Sequence, residues 1–170
     1  MADVLSIATV TLDGGGRIGI CRLPGLFGDL GSDIGAILAW KPGIVASLTE
    51  RAEMQQCGAG GLAEMLADAA IEWRHLPIRD YGSPQGSSQE TWPRLAARLH
   101  EILDEGGAVL LHCRGGLGRS GMIALRILVE RGEDASMALA RLRLARPGAV
   151  ETEAQSAWAS AGSAGIWKPG

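Results

Sequence analysis

Short apolar runs alternate with stretches whose apolar positions recur every three or four residues along this 170-residue chain. The first pattern predicts strands at Val4–Leu12, Arg17–Arg22, Ile44–Leu48, Ile71–Leu76 and Ala108–His112. The second predicts helices at Ser32–Trp40, Leu62–Ala70, Gln89–Glu105, Ser120–Arg131, Asp134–Ala145 and Glu151–Ser160. Such alternation reads as an α/β fold, a single domain over residues 1–170 with a central, mostly parallel sheet flanked by helices. The first two strands are the exception. The Gly14-Gly15-Gly16 link between them is too short for a crossover and predicts an antiparallel hairpin.

Ala108-Val109-Leu110-Leu111 is apolar at every position, which marks a central strand covered on both faces. Gly106-Gly107 just before it suits a helix end. The following helix carries Met122, Ile123, Leu125, Ile127, Leu128 and Val129, apolar on most sides, and is expected to be buried as well. One long irregular segment, Pro77–Ser88, is rich in Gly, Ser and Pro and has the character of a mobile lid or active-site loop. Trp92-Pro93 fits the first turn of a helix, where proline is tolerated.

Between the central strand and its helix lies His112-Cys113-Arg114-Gly115-Gly116-Leu117-Gly118-Arg119-Ser120-Gly121. Backbone N–H groups from Arg114 to Arg119 converge on an anion if the loop curls, and Gly115, Gly116 and Gly118 permit the backbone angles this demands. The helix starting near Ser120 adds its positive end. Arg119 is suited to grip two phosphate oxygens at once. Loops of this kind lower thiol pKa values to roughly 3.5–7.5, so Cys113 reads as a thiolate nucleophile. Ser120 is placed to hydrogen-bond the sulfur, and His112 to order the loop rather than to shuttle protons.

Composition excludes more than it selects. A net charge of −3 gives no general attraction to nucleic acid or to acidic membranes. Cys21, Cys57 and Cys113 lack metal-ligand spacing, and no cofactor or metal is expected; a reducing, cytoplasmic setting fits them best. No apolar run approaches the ~20 residues that span a bilayer, and Met1-Ala2-Asp3-Val4 does not open a signal peptide. His75 and His100 read as structural, Arg141, Arg143 and Arg146 as a solvated helix face by default, and the five tryptophans as core or groove-edge residues. The stretch after Gly162 fits a loose or a docked tail.

His112-Cys113-x5-Arg119-Ser120-Gly121 resembles the motif of the cysteine-dependent protein phosphatases, and Cys113–Ser120 is most similar to their kinase-associated, dual-specificity-type branch. Leu23-Pro24-Gly25, Ser47-Leu48-Thr49-Glu50, Pro77–Pro84 and Arg146-Pro147-Gly148-Ala149-Val150 with Gln155 also have counterparts there, so the resemblance covers roughly residues 20–160. It implies a protein tyrosine phosphatase-like fold and phosphomonoester hydrolysis through a phosphocysteine. Cys113 would be the nucleophile, Arg119 the phosphate clamp, and Arg114, Gly115, Gly116, Leu117 and Gly118 the substrate-binding loop.

By the same resemblance Asp80 is the general acid and later the base, with Ser120 and Gln155 as helpers, Gln155 placing the hydrolytic water. The residues alone leave Asp80 equally open to a turn-forming role before Tyr81-Gly82, and Gln155 to a helix-surface one. No aromatic recognition loop is found, which predicts a shallow pocket open to phosphoserine, phosphothreonine and phosphotyrosine. An inositol lipid headgroup is less favoured, because only Arg114 and Arg119 are basic in the loop. The expected partner is a phosphoprotein or another phosphomonoester substrate, with no nucleic acid and no membrane. The competing readings are a rhodanese-like or arsenate-reductase-like cysteine enzyme and a non-catalytic phosphoprotein-binding module.

Overall fold

A computed structural model describes residues 3–164; Trp167 and the end of the expected tail lie outside the described residues. The elements run β1 (Ala8–Thr11), β2 (Arg17–Cys21), α1 (Leu30–Trp40), β3 (Ile44–Ser47), α2 (Arg51–Gln56), α3 (Leu62–Asp68), β4 (Glu72–His75), α4 (Ser87–Asp104), β5 (Ala108–His112), α5 (Gly118–Glu130), α6 (Ala135–Ala145) and α7 (Glu153–Ser160). The sheet order is β1-β2-β5-β3-β4. Among the described residues only the β1–β2 hairpin is antiparallel; β2 and β3 flank β5 in parallel, and β4 pairs with β3 in parallel. The α/β expectation and the hairpin both match.

Period-two alternation along the central strand divides the core. Val109 and Leu111 face the larger apolar cluster, shared with α4, α5, α6 and α7. Leu110 faces the smaller one, built with α1, α2 and α3. All five residues of β5 are buried, as an apolar strand with parallel neighbours on both sides must be. Gly106 turns the chain out of α4 at φ 78°, and Gly107 N–H closes that helix by donating to Ile102 O at 2.9 Å.

Three expectations need correction. The first strand is much shorter than Val4–Leu12, because its pairing with β2 runs only from Ala8 opposite Ile20 to Thr11 opposite Arg17. Pro93 sits in the second turn of α4, which begins at Ser87; the helix tolerates it inside, with Trp92 buried and its indole N–H donating to Glu130 at 3.0 Å. Finally, the sequence pattern predicts no helix at α2, which lies beside the Cys113–Arg119 loop through the Glu53–Arg119 contact.

Candidate active site

The segment from Cys113 to Arg119 leaves the C-terminal end of β5 and curls into α5. Its outer carbonyls are all held. Arg114 O accepts from Leu23 N–H at 3.0 Å, and Leu117 O accepts from Gly121 N–H at 3.0 Å and Val150 N–H at 3.1 Å. Arg146 holds Gly115 O and Gly116 O with one guanidinium, at 2.9 and 2.8 Å. In a planar trans peptide the next N–H points opposite the carbonyl. The N–H groups of Gly115, Gly116, Leu117 and Gly118 are therefore directed to the loop's concave side, where the positive end of α5 adds to them. Gly116 is in the left-handed region at φ 69°, and a Cβ there would meet the Cys21 backbone at 2.6 Å, so glycine is required. Arg146 is thus a brace of the loop, not part of a solvated face.

Arg119 is only 1% exposed, and its charge is met by built partners. Nη1 and Nη2 donate to the two Glu53 carboxylate oxygens at 2.8 and 2.9 Å, and Nη1 also donates to Ile78 O at 2.9 Å. Asp80 lies 3.3 Å from Nη2. Burial works against the guanidinium's charge, yet the Glu53 hydrogen bonds and the nearby charges of Cys113, Glu53 and Asp80 hold its pKa above the ordinary value. Burial likewise opposes ionisation of Glu53, but Arg119 and the Glu50 N–H hold its carboxyl below the usual range. Arg119 Nε remains a buried donor without a hydrogen-bond partner. A donor of that kind beside a ring of N–H groups is what a bound oxyanion would satisfy.

Cys113 opens the loop at 3% exposure, and Arg114 is exposed on its rim. Ser120 Oγ and Thr49 Oγ1 are, with Arg119 Nε, the buried side-chain polar atoms among the described residues that lack a partner. Behind the loop, the fully buried His112 Nε2 meets Ser47 Oγ at 2.5 Å, and Ser47 also accepts from the Trp73 indole N–H at 2.8 Å. Burial lowers the His112 pKa to about 4, so the ring is neutral and orders the strand end. His75 Nε2 bonds Thr49 O at 2.7 Å, and His100 Nε2 meets Glu130 at 2.9 Å, which fits the structural reading of both.

Asp80 reaches the site from the loop between β4 and α4, with its side chain half exposed. Gln155 lies near but does not present its amide openly. It is fully buried; Oε1 accepts from Glu151 N–H and Thr152 N–H, and Nε2 donates to Gly82 O. The structure therefore gathers Cys113, Arg119, Asp80 and Ser120 around one loop and puts Gln155 in the layer behind it. Sequence reading missed Glu53. Its only local trace is the Glu50-x-x-Glu53 capping box that starts α2.

Among the described residues no group of three or more His, Cys, Asp or Glu is placed to hold a metal ion, and no helix is long and apolar enough to cross a membrane.

A fold with this cysteine loop at the end of a central parallel strand is that of the protein tyrosine and dual-specificity phosphatases. The family profile described as "Polymorphic toxin system, DSP-PTPase phosphatase" matches residues 42–133, more than half of the chain, and the chain belongs to that family. Tk-PTP in its active form is 30% identical, with a TM-score of 0.67 over 87% of this chain and 90% of that one. Kinase-associated phosphatase, solved with its catalytic cysteine replaced by serine, shares the fold at a TM-score of 0.81 and 23% identity, over 92% of this chain and 93% of that one. Protein 067L of Invertebrate iridescent virus 3, by name a tyrosine phosphatase, is 34% identical over 91 residues; these are 51% of this chain and only 38% of the viral protein.

Proposed function

We propose that the protein hydrolyses phosphomonoesters as a protein tyrosine/dual-specificity phosphatase, through a phosphocysteine intermediate. The observation that carries this reading is the buried Arg119, paired through both terminal nitrogens and left with a free Nε donor beside Cys113 and the inward N–H groups. Those groups hold the three non-bridging oxygens of a phosphoryl group. The Cys113 thiolate attacks phosphorus, the bond to the ester oxygen breaks, and Asp80 gives that oxygen its proton. In the second step Asp80 takes a proton from water, which attacks phosphorus and releases Cys113 as thiolate. The buried Ser120 hydroxyl is the donor available to that departing sulfur. The substrate we favour is a phosphoprotein, met in the cytoplasm.

The test is hydrolysis of para-nitrophenyl phosphate with a strong chelator present, comparing the wild type with Cys113→Ser. Turnover that survives chelation and disappears in the variant, while the variant still binds phosphate esters, is the expected result. Turnover retained by Cys113→Ser would sink the phosphocysteine mechanism.

A further inference from the structure

The Asp80 loop is held from two sides, and the two sides differ in kind. On the phosphate side Arg119 donates to Ile78 O at 2.9 Å. On the far side the N-terminal cap of α7 takes over. Thr152 Oγ1 donates to Tyr81 O at 3.2 Å, and Gln155 Nε2 donates to Gly82 O at 3.2 Å. Asp80 lies between these holds. Its own carboxylate accepts from Tyr81 N–H at 3.0 Å, and Tyr81 is kept in the left-handed region at φ 62°, a conformation that a non-glycine residue keeps only where its surroundings enforce it.

The same cap atoms also make the helix end. Thr152 Oγ1 accepts from Gln155 N–H at 3.2 Å while Gln155 Oε1 accepts from the Glu151 and Thr152 N–H groups at 2.9 and 3.3 Å. The segment is pressed on the phosphate loop as well. A Cβ on Gly118 would lie 2.2 Å from Glu151 Oε1 and 3.1 Å from both polar atoms of the Gln155 amide. Residues 151–155 therefore touch the phosphate loop on one side and the acid loop on the other.

We propose that Thr152 and Gln155 are positioning residues for the general acid: the α7 cap clasps the Asp80 loop over the phosphate loop, so that the acid stands in place before substrate arrives. On this reading the Pro77–Ser88 segment is a fixed arm at its Asp80 end, not a swinging lid. Gln155 serves the acid through the loop backbone, not by holding water. The inference rests on Asp80 being the general acid as proposed above.

The test uses Thr152→Val, Thr152→Ser and Asp80→Asn, singly and with each Thr152 change combined with Asp80→Asn. Each is assayed on phenyl phosphate, whose leaving oxygen needs a proton, and on para-nitrophenyl phosphate, whose leaving group does not. Thr152→Val is expected to lower kcat/KM, which covers only the steps up to release of the leaving group, about tenfold on phenyl phosphate, and to change kcat/KM on the activated ester less than about twofold. Thr152→Ser, which keeps the hydroxyl, restores the wild-type ratio between the two substrates. In the Asp80→Asn background Thr152→Val has no further effect, because the group it positions is gone. Equal losses on both esters, or a loss that adds to that of Asp80→Asn, would show a merely structural cap and overturn the clasp alone. Equal losses of kcat/KM on the two esters from Asp80→Asn itself would remove the acid assignment, and the clasp with it.

Discussion

Arg119, at the end of the Cys113–Arg119 loop, and Glu53 of α2 meet in a two-pronged ion pair at 2.8 and 2.9 Å. The fork of the guanidinium matches the carboxylate, so the pair fixes the plane of Arg119 as well as its charge. With Nη1 and Nη2 both engaged there, the direction of Nε is set before any anion binds. Glu50 N–H donates to Glu53 Oε2 at 2.8 Å, which ties that carboxylate to the start of its own helix.

Glu53→Gln is expected to lower kcat/KM on para-nitrophenyl phosphate by roughly ten- to a hundredfold, through a clamp that is no longer oriented. A buried guanidinium that loses its counter-charge should also cost about 2 kcal/mol of stability. Steady-state kinetics with denaturant titration of the same samples checks both. Unchanged kinetics would mean that Ile78 O and Asp80 suffice to hold Arg119.

Gly116→Ala addresses the curl of the loop. The variant must place a methyl within 2.6 Å of the Cys21 backbone and hold alanine at φ 69°. The backbone term alone is about 1–2 kcal/mol, and the contact can be relieved only by moving the loop off β2. Phosphate binding, followed by competitive inhibition with inorganic phosphate, should weaken at least about tenfold. A variant with normal phosphate affinity would show that the inward N–H groups do not need this register.

His112 makes a pH prediction. Burial lowers its folded-state pKa to about 4, against an unfolded value of ~6.5. The unfolded chain therefore binds more protons between those values, so stability is intact above about pH 6.5 and falls as the pH drops toward 4. The full shift corresponds to about 3 kcal/mol. Glu53, held below its usual range, adds a loss of the same sign at still lower pH. Denaturant titrations between pH 7 and 4.5 should show the decline, and His112→Gln should flatten its upper part. A parallel decline in the variant would assign it to other groups.

What could be read from the chain depended on how local the cause was. β5, the loop and α5 were legible because an apolar run, closely spaced glycines and a helix-period pattern follow one another in one stretch. The loop and the resemblance together pointed to Asp80, and the structure puts its carboxylate 3.3 Å from Arg119. Helix α2 was not: it is six residues long, carries one buried side chain, Met54, and is capped by glutamates. Glu53 meets Arg119 from a distant part of the sequence, a contact that only the β3–β5 pairing creates. Gln155 leaves a helix-surface setting open in the sequence, because nothing local shows that its amide is enclosed, as it is here. Arg146 reads as a solvated helix-face arginine in the sequence, since the carbonyls it braces lie across the fold.

The central position of β5 also governs when a site can exist. Its neighbours are β2, with Ala108 opposite Arg17, and β3, with Val109 opposite Ile44. Both pairings close long loops of chain, the kind of contact whose entropy is charged before it is repaid. The Cys113 loop then leans on Cys21 and Leu23 from one partner strand's end, and Arg119 on Glu53 beyond the other. A chain with only local structure formed has the cysteine but no cradle around it. Recovery of turnover during refolding therefore reports completion of the whole sheet, and should trail the return of helical signal.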